Sequence, residues 1–379
     1  MSKILLVGDI HLGLGYPNNF EKWFNVSKEY FENFLIPSCK AELSKNDIIV
    51  LLGDLFDNRN VIPINILNYA QNLIENLSTI CPVHILIGNH DLYTKSTNDI
   101  NTVKLYKYIP NVFVYENSER IEFMGKSILM MPWVEKKNDQ IKILKEFSGC
   151  DYLFCHSDLN GAKMHLNSVA HKNLDKIDIE EFSGYKNVYS GHIHVHQRNK
   201  NFTFVGSIHE MDRNDLGNQK GIYILDVIEH TEKFIPNTIS PKFKKVFITN
   251  EDDIDNLDKI STRDYIDLYI SNSLLISNRK LRRKLEIILE TGSFASVEYI
   301  DDIKENSEDI NKSYNSEETG NKSEDVTPIR LEYKEYIKDY ILSQKYESEK
   351  IKNGILQEYL EVLKIYDNNY EKEGNEKIS

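Results

Sequence analysis

The sequence predicts an α/β (α+β) protein: a two-sheet sandwich flanked by helices, followed by a small α/β domain and C-terminal helices. Three observations predict it. Short apolar runs rich in β-branched and aromatic residues recur as KILLV, DIIVLL, VHILI, DYLF and NVY, which reads as buried strands bounded by turns. Stretches with helical apolar spacing separate the first of these, giving strand–helix alternation. After Gly125 the pattern turns to successive strands, KSILMMPWV, FTFVGSI and GIYILDV.

In chain order, the helical stretches are EKWFNVSKEYFENFLIPSCKAEL, INILNYAQNLIENL and TNDINTVKLYKYI. Together with the runs above they assign residues 1–240 to one domain. Residues 241–300 read as a smaller domain, with strand-like KKVFIT, DYIDLYIS and SVEYI around an amphipathic helix carrying Arg279, Lys280, Arg282, Arg283 and Lys284. Residues 301–328 hold nine Asp or Glu against three Lys and offer almost nothing to bury, so they predict a flexible acidic linker. Apolar periodicity returns in 329–366. Tyr333, Ile337 and Tyr340 form one stripe, and Ile355, Tyr359 and Leu363 lie on another. Residues 367–379 are an acidic tail.

A formal net charge of −13 argues against a chain that coats itself in nucleic acid, though not against a nuclease with a local basic surface. No run reaches the length of a membrane-spanning helix, and the N-terminal residues do not resemble a signal peptide, so a soluble cytoplasmic protein without membrane association is expected. Four scattered cysteines without a CxxC pair predict buried thiols in a reducing compartment.

The strand ends carry the chemistry. DIIVLL runs into GDLFDNR, KILLV into GDIH, VHILI into GNHD, DYLF into CHSD and NVY into SGHIH. Asp, Asn and His are the residue types that bind divalent cations, and ligands collect at carboxyl ends of strands in layered α/β folds. Asp9, His11, Asp54, Asn89, His156, His192 and His194 are too many donors for one ion, and their mixture suits Mn²⁺, Fe²⁺, Zn²⁺ or Mg²⁺. Two ions sharing a bridging carboxylate, with Asp54 placed for it, would serve in-line phosphoryl displacement. Taken singly, Asp-x-His is a turn and GNHD an Asn-containing turn. Five such motifs in order, each after a strand, are hard to read that way together.

The ordered set D-x-H, G-D-x-x-D, G-N-H-D, H and G-H-x-H resembles the calcineurin-type metallophosphoesterase superfamily. Within it, DIHLG, GDLFDNR, GNHDLY, MPW, SDLNG, SGHIH, VGSIHEMDRND and the KGIYILD strand are most similar to SbcD-type nuclease subunits of double-strand-break repair, especially those of bacteriophage recombination endonucleases. The resemblance spans residues 1 to about 240. It implies that Asp9, His11, Asp54 and His194 hold one metal, usually Mn²⁺, and that Asp54, Asn89, His156 and His192 hold the other. It makes His90 the general acid that protonates the leaving 3′ oxygen. Cellular relatives often have His where this chain has Asp57, which could orient His90 or an outer water. The resemblance further implies DNA as substrate, a homodimer through segments near 64–77 and 98–108, and a coiled-coil ATPase partner of the SbcC type bound by the C-terminal helices. That ATPase, not this chain, would bind ATP.

Three functional classes fit a site of this kind: a DNA nuclease, a phosphatase or nucleotidase acting on small or protein phosphoesters, and a non-enzymatic scaffold. No expected ligand is missing, which weakens the last. The added domain and C-terminal helices favour the first. The basic helix is a solvated face or a DNA contact, and the C-terminal helices dock on a partner or fold back on the chain. His84, His165, His171, His196, His209 and His230 are read mostly as structural or surface residues, and Cys155 as a packed thiol. A second reading of His196 makes it an outer residue of the site, because the alternation in HIHVH would put it on the strand face of His194.

Overall fold

The computed structural model describes residues 2–15, 20–94, 97–166, 175–256, 263–271 and 296–300, with the single positions Ser168, Asn173, Arg283, Gln357 and Tyr359. Residues Met1–Asn306 form one compact unit and Ser307–Ser379 another.

Continuous apolar runs form the interior strands because both faces of a central parallel strand are covered. The first sheet is built on β1 (Lys3–Val7), β2 (Ile48–Leu51), β3 (Val83–Leu86) and β4 (Val112–Tyr115), all parallel. The second contains β5 (Glu119–Phe123), β6 (Lys126–Met131), β7 (Tyr152–His156), β8 (Asn187–Gly191), β9 (Gln197–Asn199) and β10 (Phe202–Phe204), in the order β5-β6-β7-β8-β10-β9. The chain then returns to the first sheet as the antiparallel pair β11 (Gly221–Asp226) and β12 (Thr231–Pro236), giving β12-β11-β1-β2-β3-β4.

Alternation along each strand divides the core into layers. Ile4 and Leu6 of β1 meet Tyr152 and Phe154 of β7 between the sheets. Leu5 and Val7 face outward onto the helical stretch 20–42 and α3 (Ile64–Ile80), packing with Tyr30, Phe31, Ala70 and Leu73. On the far side Leu153 and Cys155 meet Leu144 of α4 (Lys137–Glu146), with Phe182 and Phe202. The result is two mixed sheets flanked by helices, and each side chain so buried contributes roughly 1.5–3 kcal/mol.

The first helical stretch runs as α1 (Phe20–Tyr30), a π-helical turn over Phe31–Leu35, and α2 (Ile36–Glu42). Ile36 N–H donates to the Phe31 carbonyl, and Pro37 explains the widened turn, since it has no N–H for the carbonyl four residues back.

The expected helix over TNDINTVKLYKYI is replaced by turns and a 3₁₀ segment, Lys104–Tyr108. Polar side chains capture the backbone there: Asn98 Nδ2 donates to the carbonyls of Glu116 and Trp133, and Asn101 Nδ2 to that of Asn98. For His196 the structure agrees with the structural reading and not with a place at the site. The segment between β8 and β9 is not a strand, and the His196 ring packs on Phe234 and hydrogen-bonds the Phe204 carbonyl and the Tyr223 hydroxyl. It supports the sandwich, not the site.

Beyond β12, a parallel sheet is formed by β13 (Phe243–Ile248), β14 (Tyr265–Ser271) and β15 (Ser296–Ile300), with α5 (Glu251–Asn256) after β13. It seats against the larger domain by polar and aromatic contacts. Arg213 donates from Nε and Nη2 to the Asp267 carboxylate at 2.7 and 2.9 Å, Glu210 accepts from Phe243 N–H at 2.6 Å, and Trp23 packs on Tyr265 with ring centroids 5.0 Å apart. Of the basic helix, Arg279, Lys280, Arg282 and Lys284 lie outside the described residues; Arg283 is helical and exposed. The expected acidic linker lies outside them too, as do Tyr333, Ile337, Tyr340, Ile355 and Leu363, while Tyr359 is helical and half-buried. No helix among the described residues is long and apolar enough to cross a membrane.

Candidate metal centre

The segments leaving β1, β2, β3, β7 and β8 meet at one end of the sandwich. His11, Asp54 and His192 carry φ angles of 49°, 51° and 84°, a left-handed conformation that other residues enter only where the surroundings hold them. Two glycines permit the close approach. Gly53 has φ +101°, and a Cβ there would lie 2.5 Å from His156 Nδ1; a Cβ on Gly88 would lie 2.1 Å from Asp54 Oδ1.

Asp54 sits in the middle of the cluster. Its Oδ2 lies 3.7 Å from His11 Nε2 and 3.3 Å from His156 Nε2, and its Oδ1 accepts from His90 N–H at 2.8 Å. On one side, His11 Nε2 and His194 Nε2 are 3.1 Å apart. On the other, Asn89 Oδ1 lies 3.0 Å from His156 Nε2 and 2.8 Å from His192 Nδ1. Asp9 joins the halves: its Oδ1 accepts from His192 N–H at 2.8 Å and lies 3.8 Å from His156 Nδ1. Asp9, Asp54 and His156 are almost completely buried.

These groups fit divalent cations better than they fit one another. Asp9 Oδ2 is buried and accepts no hydrogen bond, a cost that a cation removes. The facing His11 and His194 nitrogens can share at most one proton. Asp9, His11 and Asp54 form one group of donors close enough to share an ion, and Asp54, His156 and His192 a second.

The electrostatics follow from burial and crowding. Burial raises the Asp54 carboxyl, but the nearby His156, His11 and His90 more than reverse this and hold it well below the usual carboxylate range. Burial would lower His156, yet Asp54 and Asp9 push it up to about 9. Burial and the neighbouring His11 lower His194 to about 4. Asp91 is pushed up to about 6 by burial and the Asp54 charge.

Of the residues singled out from sequence, Asp9, His11, Asp54, Asn89, His90, His156, His192 and His194 are brought together. Asp57 joins them with a difference. Its carboxylate faces His11 Nδ1 at 3.3 Å, and its backbone carbonyl, not its side chain, accepts from His90 Nδ1 at 2.7 Å. His84 and His209 are buried, His209 stacked on Trp23, and the Cys155 thiol, also buried, is pushed up to about 12.

Four supporting residues were not singled out. Asp158 accepts from His192 Nε2 at 3.0 Å and from Lys176 Nζ at 2.9 Å. Asp91 accepts from the N–H groups of Leu55, Phe56 and Gly88, tying the loop after β2 to the loop after β3. Trp133 packs on His192 with ring centroids 4.9 Å apart. Lys220 donates from Nζ to the His194 carbonyl at 2.8 Å and pairs with buried Asp215 at 2.6 Å. SDLNG, GNHD, MPW and KGIYILD contain the four in turn, without showing what each side chain touches.

A sandwich of two sheets with this donor set at its strand ends defines a metal-dependent hydrolase of the metallophosphoesterase class. The chain belongs to the calcineurin-like phosphoesterase family, whose pattern residues 2–196 match. It is 29% identical over 245 residues to Exonuclease subunit 1 of Enterobacteria phage T4, covering 62% of this chain and 68% of that protein. It is 28% identical over 217 residues to the protein 244L of Invertebrate iridescent virus 6, covering 54% and 70%. An archaeal phosphodiesterase of known structure aligns over 62% of this chain and 99% of its own, at 12% identity and a TM-score of 0.31.

Proposed function

We propose that the chain is the Mn²⁺-dependent nuclease subunit of a DNA repair and recombination complex, cutting phosphodiesters exo- and endonucleolytically by a two-metal mechanism. The observation that carries the two-metal reading is the place of Asp54 Oδ2 between His11 Nε2 and His156 Nε2, 3.7 and 3.3 Å away. On this reading Asp9, His11, Asp54 and His194 hold one ion, and Asp54, Asn89, His156 and His192 the other. When bound, the cations neutralise the scissile phosphate and acidify a water to serve as nucleophile.

The chain's own residues do the rest. The Asp57 carbonyl can only accept, so His90 Nδ1 carries a hydrogen, and Nε2 is the nitrogen that gains and loses a proton. A cationic His90 would therefore donate from Nε2 to the leaving 3′ oxygen. Buried Asp54 fixes the His90 backbone through its N–H, which keeps that ring at the rim of the cluster.

Similarity to a phage exonuclease subunit supports a nucleic acid as the substrate, and the motif resemblance supports DNA. The resemblance also supports a coiled-coil ATPase of the SbcC type as partner, docked through residues 329–366, and the basic helix of 279–284 as a DNA contact. For a homodimer, support comes from Leu67, Leu105 and Tyr108, exposed apolar residues lining one cleft.

The test is cleavage of linear duplex and circular single-stranded DNA with Mn²⁺, Mg²⁺ or EDTA, beside a chromogenic phosphate ester. Mn²⁺-dependent DNA cleavage that His90→Ala and Asp54→Ala abolish is the expected result. Hydrolysis of the small ester with no DNA cleavage, even with the ATPase present, would replace this reading by a phosphatase.

A further inference from the structure

We infer that Asp158 is a positioning residue for the second metal site, acting through His192; the inference rests on the two-metal reading above. A carboxylate only accepts, so the 3.0 Å contact from His192 Nε2 to Asp158 Oδ1 places the ring hydrogen on Nε2. Asn89 Oδ1, 2.8 Å from Nδ1, also only accepts, so with an ion bound there Nδ1 would offer its lone pair to that ion, where His156 Nε2 also converges, 3.0 Å from the same oxygen. A carboxylate on the far nitrogen of a ligand histidine fixes its tautomer and raises its basicity.

His192 needs such a partner more than its companion does. His156 Nδ1 is held at 2.7 Å by the backbone carbonyl of Leu52, inside the layered core. His192 stands on a loop with φ 84°, its N–H committed to Asp9 Oδ1, and is part-exposed. Its ring orientation is then set by the Trp133 face and by Asp158 at its edge. Asp158 is held in turn by Lys176 Nζ at 2.9 Å, and the base of its loop is closed by Asn160 N–H to the Ile177 carbonyl at 2.7 Å. The ring hydrogen bond that orients one histidine of this site therefore goes to main chain, and that of the other to a replaceable side chain.

The experiment titrates Mn²⁺ into the full chain, freed of metal with EDTA, by calorimetry, with thermal unfolding run alongside. The wild type should show two binding events. Asp158→Ala should weaken one of them by ~10–100-fold and leave the other unchanged. Asp158→Asn, whose amide oxygen still accepts but carries no charge, should fall between. Wild-type affinities at both sites in Asp158→Ala, or equal losses at both, would overturn the inference, because a merely structural role would not change their ratio. Should Asp158→Ala not fold, Asp158→Asn decides: a loss confined to one site supports the inference, and wild-type values at both overturn it. A wild-type chain that takes up no Mn²⁺ would overturn the two-metal reading itself, and this inference with it.

Discussion

Asp57 engages two histidines by different groups: its carboxylate faces His11 Nδ1 at 3.3 Å, while its carbonyl accepts from His90 Nδ1 at 2.7 Å. Substituting the side chain therefore separates the two. Asp57→Ala keeps the carbonyl that orients the proposed acid and removes only the charge beside His11. Cleavage measured against Mn²⁺ concentration should need roughly 10-fold more metal, then approach the wild-type rate at saturation. His90→Ala should lower the saturated rate by ~10²–10⁴-fold, the usual contribution of a general acid. If Asp57→Ala reduces the saturated rate as far as His90→Ala, the carboxylate serves His90 after all.

A second prediction concerns acid stability. His84 is buried on β3, stacked near Phe113 and Tyr115, with Nδ1 2.6 Å from the Tyr115 hydroxyl. Burial lowers it from 6.5 to about 4. Between those values the unfolded chain binds the proton and the folded chain does not, so stability falls as pH falls through this window. One such group contributes about 1.4 kcal/mol per pH unit there. Urea unfolding with EDTA present, from about pH 6.5 to about pH 5, should show a slope shallower by about that amount in His84→Leu. Identical slopes would mean that His84 titrates near its ordinary value in the folded chain.

What was legible in the sequence follows from where each element lies. Interior strands such as KILLV and DIIVLL were legible because burial on both faces leaves them continuously apolar. The strands not read, β4, β5, β9 and β12, are the four edges of the two large sheets. Glu119, Arg120 and Glu122 on β5 and Thr231, Glu232 and Lys233 on β12 are exposed, which erases the apolar signal. The donors at the strand ends were legible because each lies within a few residues of a strand. The roles of Asp158 and Lys220 were not, although they stand in SDLNG and KGIYILD, because those roles depend on partners 34 and 26 residues away in sequence, His192 and the His194 carbonyl.

The last prediction tests whether the close approach at Gly88 is what assembles the centre. A Cβ there would lie 2.1 Å from Asp54 Oδ1 and 2.3 Å from Asp54 N, so either Asp54 or the loop after β3 must move. Overpacking of this kind costs roughly 1–3 kcal/mol by itself. The larger effect is on the cations, because Asp54 faces both halves of the cluster and also fixes His90 N–H. A ligand at a hundred times its Kd stabilises a fold by about 2.7 kcal/mol, so Mn²⁺ should raise the wild-type Tm by several degrees. Gly88→Ala should lose most of that rise. Gly125→Ala is the comparison: its Cβ meets nothing within 4 Å, and its φ of +74° strains only a β5–β6 turn. That variant should melt lower than wild type and still gain the full Mn²⁺-dependent rise. A full rise in Gly88→Ala would show that Asp54 can shift without loss of the ions, and the centre would then not depend on this glycine.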